Sequence, residues 1–411
     1  MAGNTFANLW KLASQKCNNF LLPGSSRCSC CKFLVDGYFV GLIRPDVIPS
    51  LLTFPSVFVW TVQPETGERC ITLHPALNTF DARSSAVGDV MLDLRSTKTF
   101  KALDGWRNED YGVYIGDRQQ PLLRLERSAS SLLGVVRYGV HVNGYFIKRP
   151  HDLNGLKHST SNGSTVGNGK RSSSPVSKGL VWDRALGDHD PSTVMMWLGV
   201  RAMNKPTWPG MLDNMAAGGL TFGLDALGCA RKECQEEASV PEDLLNTLTA
   251  VSRLSPVDLG LPAHSAMRSC YSLRFRSLRV SYVFEDERGV CPQVEYCYDL
   301  ELPDDFVPVG ADGEVDSFHL VSITQLKDLI FSDRFKANSA LVILDFLYRH
   351  KFIDPSSGGI GSILWITAAQ MGTGSAPKIV WMKRSKLADV TQPLKCHYKS
   401  TNGYGCIAIK N

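Results

Sequence analysis

The alternation of apolar and polar residues marks short strands in the first part of the chain: Tyr38–Ile43, Val57–Val62, Gly112–Ile115 and Val140–Ile147. Runs at Thr193–Val200, Arg279–Phe284, Val294–Leu302 and Phe318–Ile323 continue the series. Leu227, Ala230, Cys234 and Ala238 recur instead at helical spacing. They predict a helix over Asp225–Ala238 with Asp225 as its N-cap. A further helix is expected near Ser339–His350. Strands interleaved with helices indicate a layered α/β arrangement.

The segment 158–179 breaks this pattern. It is rich in Ser, Gly, Asn and Thr and holds almost no large apolar residue, so burial cannot offset its ordering entropy and a disordered insert is expected. Its stretch Gly163–Arg171 superficially imitates a phosphate-cradling loop. The glycine spacing is one residue too long, Arg171 stands where Ser or Thr is needed, and no strand precedes it, so a P-loop is rejected.

Length and composition add bounds. The 411 residues suit two or three domains, and 44% hydrophobic with 20% charged residues is a soluble globular balance. A net charge of +4 is too mild to argue for a nucleic-acid partner. The longest apolar stretch, around Leu51–Val62, is broken by Pro55 and too short to span a bilayer, so no membrane partner is expected. Twelve cysteines form no disulfide framework and read as reduced thiols. Residues 1–35 hold Lys11, Lys16, Arg27 and Lys32 and no acidic residue, a faint organellar-transit pattern. Phe6, Leu9, Trp10 and Ala13 at helical spacing fit a first helix of the fold instead, which favours a cytoplasmic protein.

Chemistry concentrates on the helix over Asp225–Ala238. Glu233, Glu236 and Glu237 lie at i, i+3 and i+4, so like charges crowd one side. A divalent cation relieves that repulsion, and hard Mg2+ or Mn2+ prefers carboxylate oxygens. The bland account is a solvated acidic face. The glycine-rich loop Gly218–Gly223 just before the helix shifts the balance, because the whole window resembles the Nudix box. Gly218 takes the leading glycine, and Lys232, Glu233, Cys234, Glu236, Glu237 and Val240 take the later positions. Three departures stand out. Leu224 occupies the place of the first Glu, Lys232 replaces Arg, and Ser239 replaces a glycine that usually turns the chain at positive φ.

Further stretches narrow the resemblance. Trp106-Arg-Asn-Glu109, Tyr138–Tyr145, Lys205–Asn214, Tyr298–Pro303, Asp312-Gly-Glu-Val315 and Leu341–Pro355 resemble the Nudix proteins related to thiamine pyrophosphokinase. The resemblance implies a Nudix α/β/α sandwich with a mixed sheet over 137–355, carrying the insert and an extra segment near 254–278. A smaller α+β domain over 1–136 precedes it, and a tail of no clear pattern, 356–411, follows.

The activity so implied is Mg2+-dependent hydrolysis of a small-molecule diphosphate, X-P-P to X-P plus phosphate, with thiamine diphosphate or its oxidised derivatives as substrate. Glu233, Glu236 and Glu237 are expected to bind the metal, and Glu233 or Glu314 to orient or deprotonate the water. Arg201 and Lys205 are expected to hold the diphosphate. Trp208 is offered for stacking on a ring, against a packing role, and Trp106, Arg107 and Glu109 for substrate recognition, against an ion pair buttressing a turn, which is favoured. His141 and His319 read as structural. An oxidised nucleoside diphosphate is the alternative substrate. A Nudix-fold binding protein, impaired by Leu224, Ser239 and the segment near 254–278, is the alternative class.

Overall fold

The computed structural model describes residues 11–63, 66–115, 120–148, 186–250 and 279–353. The segments 158–179 and 254–278 and the tail 356–411 lie outside the described residues.

The amino-terminal unit begins with strands β1 (Cys31–Val35) and β2 (Tyr38–Ile43). Asp36 and Gly37 join them, both at positive φ, as a two-residue hairpin turn demands. A short helix α1 (Ile48–Leu52) leads to β3 (Phe58–Val62) and β4 (Arg69–Leu73), completing a sheet of order β2-β1-β4-β3. Helix α2 (Phe80–Ser96) follows, with the Thr79 side chain accepting from Ala82 N at its start. Its Val87, Val90, Met91 and Leu94 share one core with Phe33, Phe58 and Ile71. The apolar pattern did not reveal α2, because Arg83 and Ser84 also occupy buried positions and blur the stripe. Strands β5 (Asp110–Val113) and β6 (Leu123–Glu126) form a hairpin beside it.

The second unit is built on β7 (Arg137–Ile147), which runs parallel to β13 (Gly289–Glu301). Along its other edge, β10 (Ala216–Gly219) pairs with the first half and β8 (Val194–Arg201) with the second. Outside β8 lie β9 (Leu212–Asp213) and β14 (Val315–Ser322); outside β13 lie β11 (Thr249–Ala250) and β12 (Arg279–Asp286).

Alternation along β7 sends Val140 and Val142 to one face, where they pack with Cys229, Ala230 and Cys234 of α3 (Ala226–Ala238), beside the short α4 (Glu242–Leu245). Tyr145 goes to the other face, into a core with Leu341, Leu344 and Phe346 of α6 (Ala337–Arg349) and with α5 (Ile323–Leu329). A mixed sheet between helical layers, preceded by a smaller α+β unit, is the α/β/α sandwich that the resemblance implies.

Helix α6 is apolar nearly all round, which requires cover on more than its sheet side. Leu12, Ala13 and Cys17, in and after the helical turn Lys11–Lys16, join its core. Next along the chain, Asn18 Oδ1 accepts from Val283 N at 3.0 Å and Asn19 Oδ1 from Glu285 N at 2.8 Å. The start of the described chain thus covers the outer edge of β12 with amide side chains.

Candidate active site

Helix α3 carries the acidic positions and is fixed at both ends. Asp225 Oδ1 accepts from Gly228 N at 2.6 Å, the cap expected from the sequence. Glu237 is buried, and its Oε2 accepts from Ala217 N of β10 at 2.8 Å. Glu233 lies against Gly218: a Cβ there would stand 2.1 Å from the Glu233 carboxyl carbon. Gly218 and Gly219 are strand residues, paired with Val140 and Gly139, rather than members of a loop. Leu224 is exposed in the turn before the helix.

Glu236 lines the same cleft as Glu233. One residue is about 100° of helix, so Glu236 cannot share the direction of Glu237. Its carboxylate is half-exposed and held by Lys232 Nζ at 2.6 Å. A second group of carboxylates comes from the loop before β14. Ser239 ends the helix at φ 51°, in the left-handed region that glycine favours. Its Oγ donates to Val309 O at 2.7 Å, while Val309 N and Ala311 N donate to the carbonyls of Ala238 and Glu236. The loop therefore folds back along the helix end and delivers Asp312 and Glu314.

One oxygen each from Glu237, Asp312 and Glu314 lie within 4.8 Å of one another. Of the expected trio, Glu237 belongs to this group, while Glu233 and Glu236 line the cleft; Asp312 and Glu314 come from the loop. Asp312 was legible only as part of an Asp-Gly turn. An all-oxygen donor set suits a hard cation such as Mg2+ or Mn2+. Burial without a cation pushes the Glu237 carboxyl up to about 8, despite the Ala217 N–H. It pushes Glu233 up to about 7, against the pull of Lys232. Glu314 is held below its usual value, because the hydrogen bond and charge of Lys205, with Arg107 and Arg127, outweigh its burial.

The expected diphosphate cations are engaged. Arg201 Nη1 donates to Asp213 Oδ2 at 3.0 Å, Nη2 to Thr207 O at 3.0 Å and Nε to Trp208 O at 3.1 Å. Asp213 is itself buried and also accepts from Lys336 Nζ at 2.8 Å and from the Ser339 hydroxyl. Arg201 thereby pins a loop in which Trp208 sits at φ 57°, a strained backbone for a bulky residue. Lys205 is ion-paired with Glu314. Trp208 is exposed and lines the cleft. His141 is buried, with Nδ1 at 2.7 Å from Asn214 Oδ1, and His319 is exposed on β14.

The cleft has a volume of about 630 Å3, and the amino-terminal unit supplies one wall through Arg107, Glu109, Tyr111 and Arg127. Glu109 pairs with Arg127 at 2.8 Å rather than with Arg107, and accepts from Thr221 Oγ1 at 2.9 Å. Phe222 N donates to Asp110 O at 2.8 Å, and the Phe222 ring stacks on Phe80 at 5.6 Å. A Cβ on Gly219 would stand 1.9 Å from Tyr111 Oη. The two units meet at the segment that leads into α3, so the cleft belongs to both.

A family described as a domain of unknown function (DUF4743) matches residues 10–137. Over 331 residues the chain is 31% identical to "Nudix hydrolase 20, chloroplastic" of Arabidopsis thaliana, covering 80% of this chain and 70% of that protein. It is 29% identical to "Nudix hydrolase 24, chloroplastic" of the same plant, covering 80% and 69%. Among solved structures, a Nudix hydrolase from Alicyclobacillus acidocaldarius is 11% identical over 56% of this chain and 95% of that one, with a TM-score of 0.27. On the extent of its match to the first plant relative, this chain belongs to the Nudix hydrolases and is a hydrolase of the pyrophosphate bond.

Proposed function

We propose that the chain is a Mg2+-dependent diphosphatase of the thiamine pyrophosphokinase-related branch, splitting thiamine diphosphate or its oxidised derivatives into the monophosphate and phosphate. The observation that carries the metal-dependent hydrolysis is the grouping of carboxylate oxygens from Glu237, Asp312 and Glu314, the last two on the wall of the cleft. Those three residues would hold the metal, which supplies neutralisation of the phosphate oxygens. Glu233, beside them against Gly218, takes the proton of the attacking water. The new oxygen–phosphorus bond forms as the bridging bond breaks, and the electron pair leaves on the bridging oxygen. Lys205 holds Glu314 in place. Glu236, on the same cleft and paired with Lys232, is the further carboxylate from the helix.

The substrate assignment is supported by the sequence stretches that resemble the thiamine-related branch, and by exposed Trp208 on the cleft, a surface for a cationic ring. We place the activity in the cytosol; the organelle named for the plant relatives is the other outcome of a fractionation experiment. The test of the activity is phosphate release from a panel of thiamine, oxidised thiamine and nucleoside diphosphates, with Mg2+ and with EDTA. The expected result is release with Mg2+ alone, fastest on a thiamine compound. Fastest release from a nucleoside diphosphate would reassign the substrate. No release from any of them would make the chain a binding protein.

A further inference from the structure

A diphosphate next to Glu233, Glu237, Asp312 and Glu314 needs cations, and most nearby cations are already spent. Arg201 serves Asp213 and two backbone carbonyls. Lys205 serves Glu314, Lys232 serves Glu236, and Arg127 serves Glu109. Arg107 differs from all of them. It lines the same cleft and its charge is felt at Glu314, yet its guanidinium has no hydrogen bond or ion pair among the described residues.

The backbone under Arg107 is held with unusual care. Glu126 is 4% exposed, and its carboxylate is used entirely on backbone. It accepts from Arg107 N at 3.1 Å, Glu109 N at 3.1 Å and Ser128 N at 3.2 Å. Trp106 Nε1 donates to Asn108 Oδ1 at 2.9 Å, and Asn108 takes the left-handed conformation at φ 56°. The Arg95 guanidinium lies 5.0 Å from the Trp106 ring centre. Burying a carboxylate and straining Asn108 are both costly. What they achieve is a fixed turn with one unfixed feature, a guanidinium presented to the cleft.

We propose that Arg107, delivered by the amino-terminal unit, binds the phosphate groups of the substrate, so that this unit is a working half of the active site. The planar fork of arginine matches two phosphate oxygens at once, which an ammonium group cannot do. This rests on the diphosphatase reading for its substrate class, but it makes a separate claim about one residue. It also gives the Trp106–Glu109 stretch a purpose beyond buttressing.

The test uses the full chain with Arg107→Ala and Arg107→Lys, measuring hydrolysis of the best panel substrate and binding of inorganic diphosphate with Mg2+ by calorimetry. Arg107→Ala is expected to lower kcat/KM and diphosphate affinity by about 10- to 100-fold, the range for losing charged hydrogen bonds. Its melting temperature should stay close to that of the parent, because among the described residues the side chain holds nothing else. Arg107→Lys should recover only part of the loss. Retention of both quantities within twofold in Arg107→Ala, while the parent hydrolyses the substrate, would overturn the proposal and leave the diphosphatase reading intact. A parent that binds diphosphate through Arg107 but hydrolyses nothing would uphold the contact and sink the activity. A parent that does neither would sink both.

Discussion

Ser239 Oγ donates to the carbonyl of Val309 at 2.7 Å, tying the end of the acidic helix to the loop that carries Asp312 and Glu314. Serine at φ 51° is strained relative to glycine, but glycine has no hydroxyl with which to hold the loop. The departure from the Nudix pattern therefore exchanges backbone ease for a tether.

Replacing Ser239 separates the two effects. Ser239→Ala keeps the strain and loses the bond, so it should destabilise the protein by about 1 kcal/mol. Ser239→Gly loses the bond but relieves the backbone, and should stay within about 0.5 kcal/mol of the parent. Urea unfolding of the three proteins checks the ranking. Equal loss in both variants would show that the hydroxyl, and not the backbone, sets the cost.

Gly218 tests the seat of Glu233. A methyl group there would stand 2.1 Å from the Glu233 carboxyl carbon, and the carboxylate is the part able to move. Gly218→Ala should therefore leave the melting temperature nearly unchanged while lowering kcat by about 100-fold, the scale of a lost general base. A large fall in melting temperature at unchanged kcat would mean that the helix, not the carboxylate, gives way.

Asp213 makes the fold sensitive to acid. Lys336 and Arg201 hold its buried carboxylate well below the ordinary value, against the opposing effect of burial. A carboxyl lowered on folding contributes stability that is complete above its unfolded value of about 3.9 and fades as pH falls below it. Asp213→Asn strands two cations and should cost about 3–5 kcal/mol at pH 7. The gap between parent and variant should narrow below about pH 4 in urea titrations. A gap independent of pH would assign the loss to packing rather than charge.

Much of the fold was legible because burial on one face writes a period into the chain. Tyr38–Ile43 emerged as β2 without a shift of either end, and Asp225–Ala238 emerged as capped α3. Helix α2 stayed hidden because Arg83 reaches buried carbonyls and so occupies a core-facing position with a charge. In the site, the spacing of Glu233 and Glu237 put both on the side of the helix that meets β10. What spacing could not give was the return of a loop some 75 residues later, or which cations would find internal partners. Arg201 and Lys205 are suitable for phosphate in type and place. Asp213 and the far-off Glu314 claim them.

Metal should be visible in stability before any turnover is measured. In the metal-free protein Glu237 is buried beside Asp312 and Glu314, an arrangement disfavoured by desolvation and mutual repulsion. A cation held by the three oxygens reverses both effects and binds the folded state alone. At ten times its dissociation constant it should add about 1.4 kcal/mol to the stability, seen as a rise in melting temperature with added Mg2+. Glu237→Gln keeps an oxygen to accept from Ala217 N, so the helix should stay docked on β10. It removes one buried charge, so the metal-free variant should be at least as stable as the parent. The Mg2+-dependent rise should then shrink or vanish. A rise of full size in Glu237→Gln would place the metal elsewhere, and the same titration of Glu236→Gln shows whether the second carboxylate of the helix, on the same cleft, takes part.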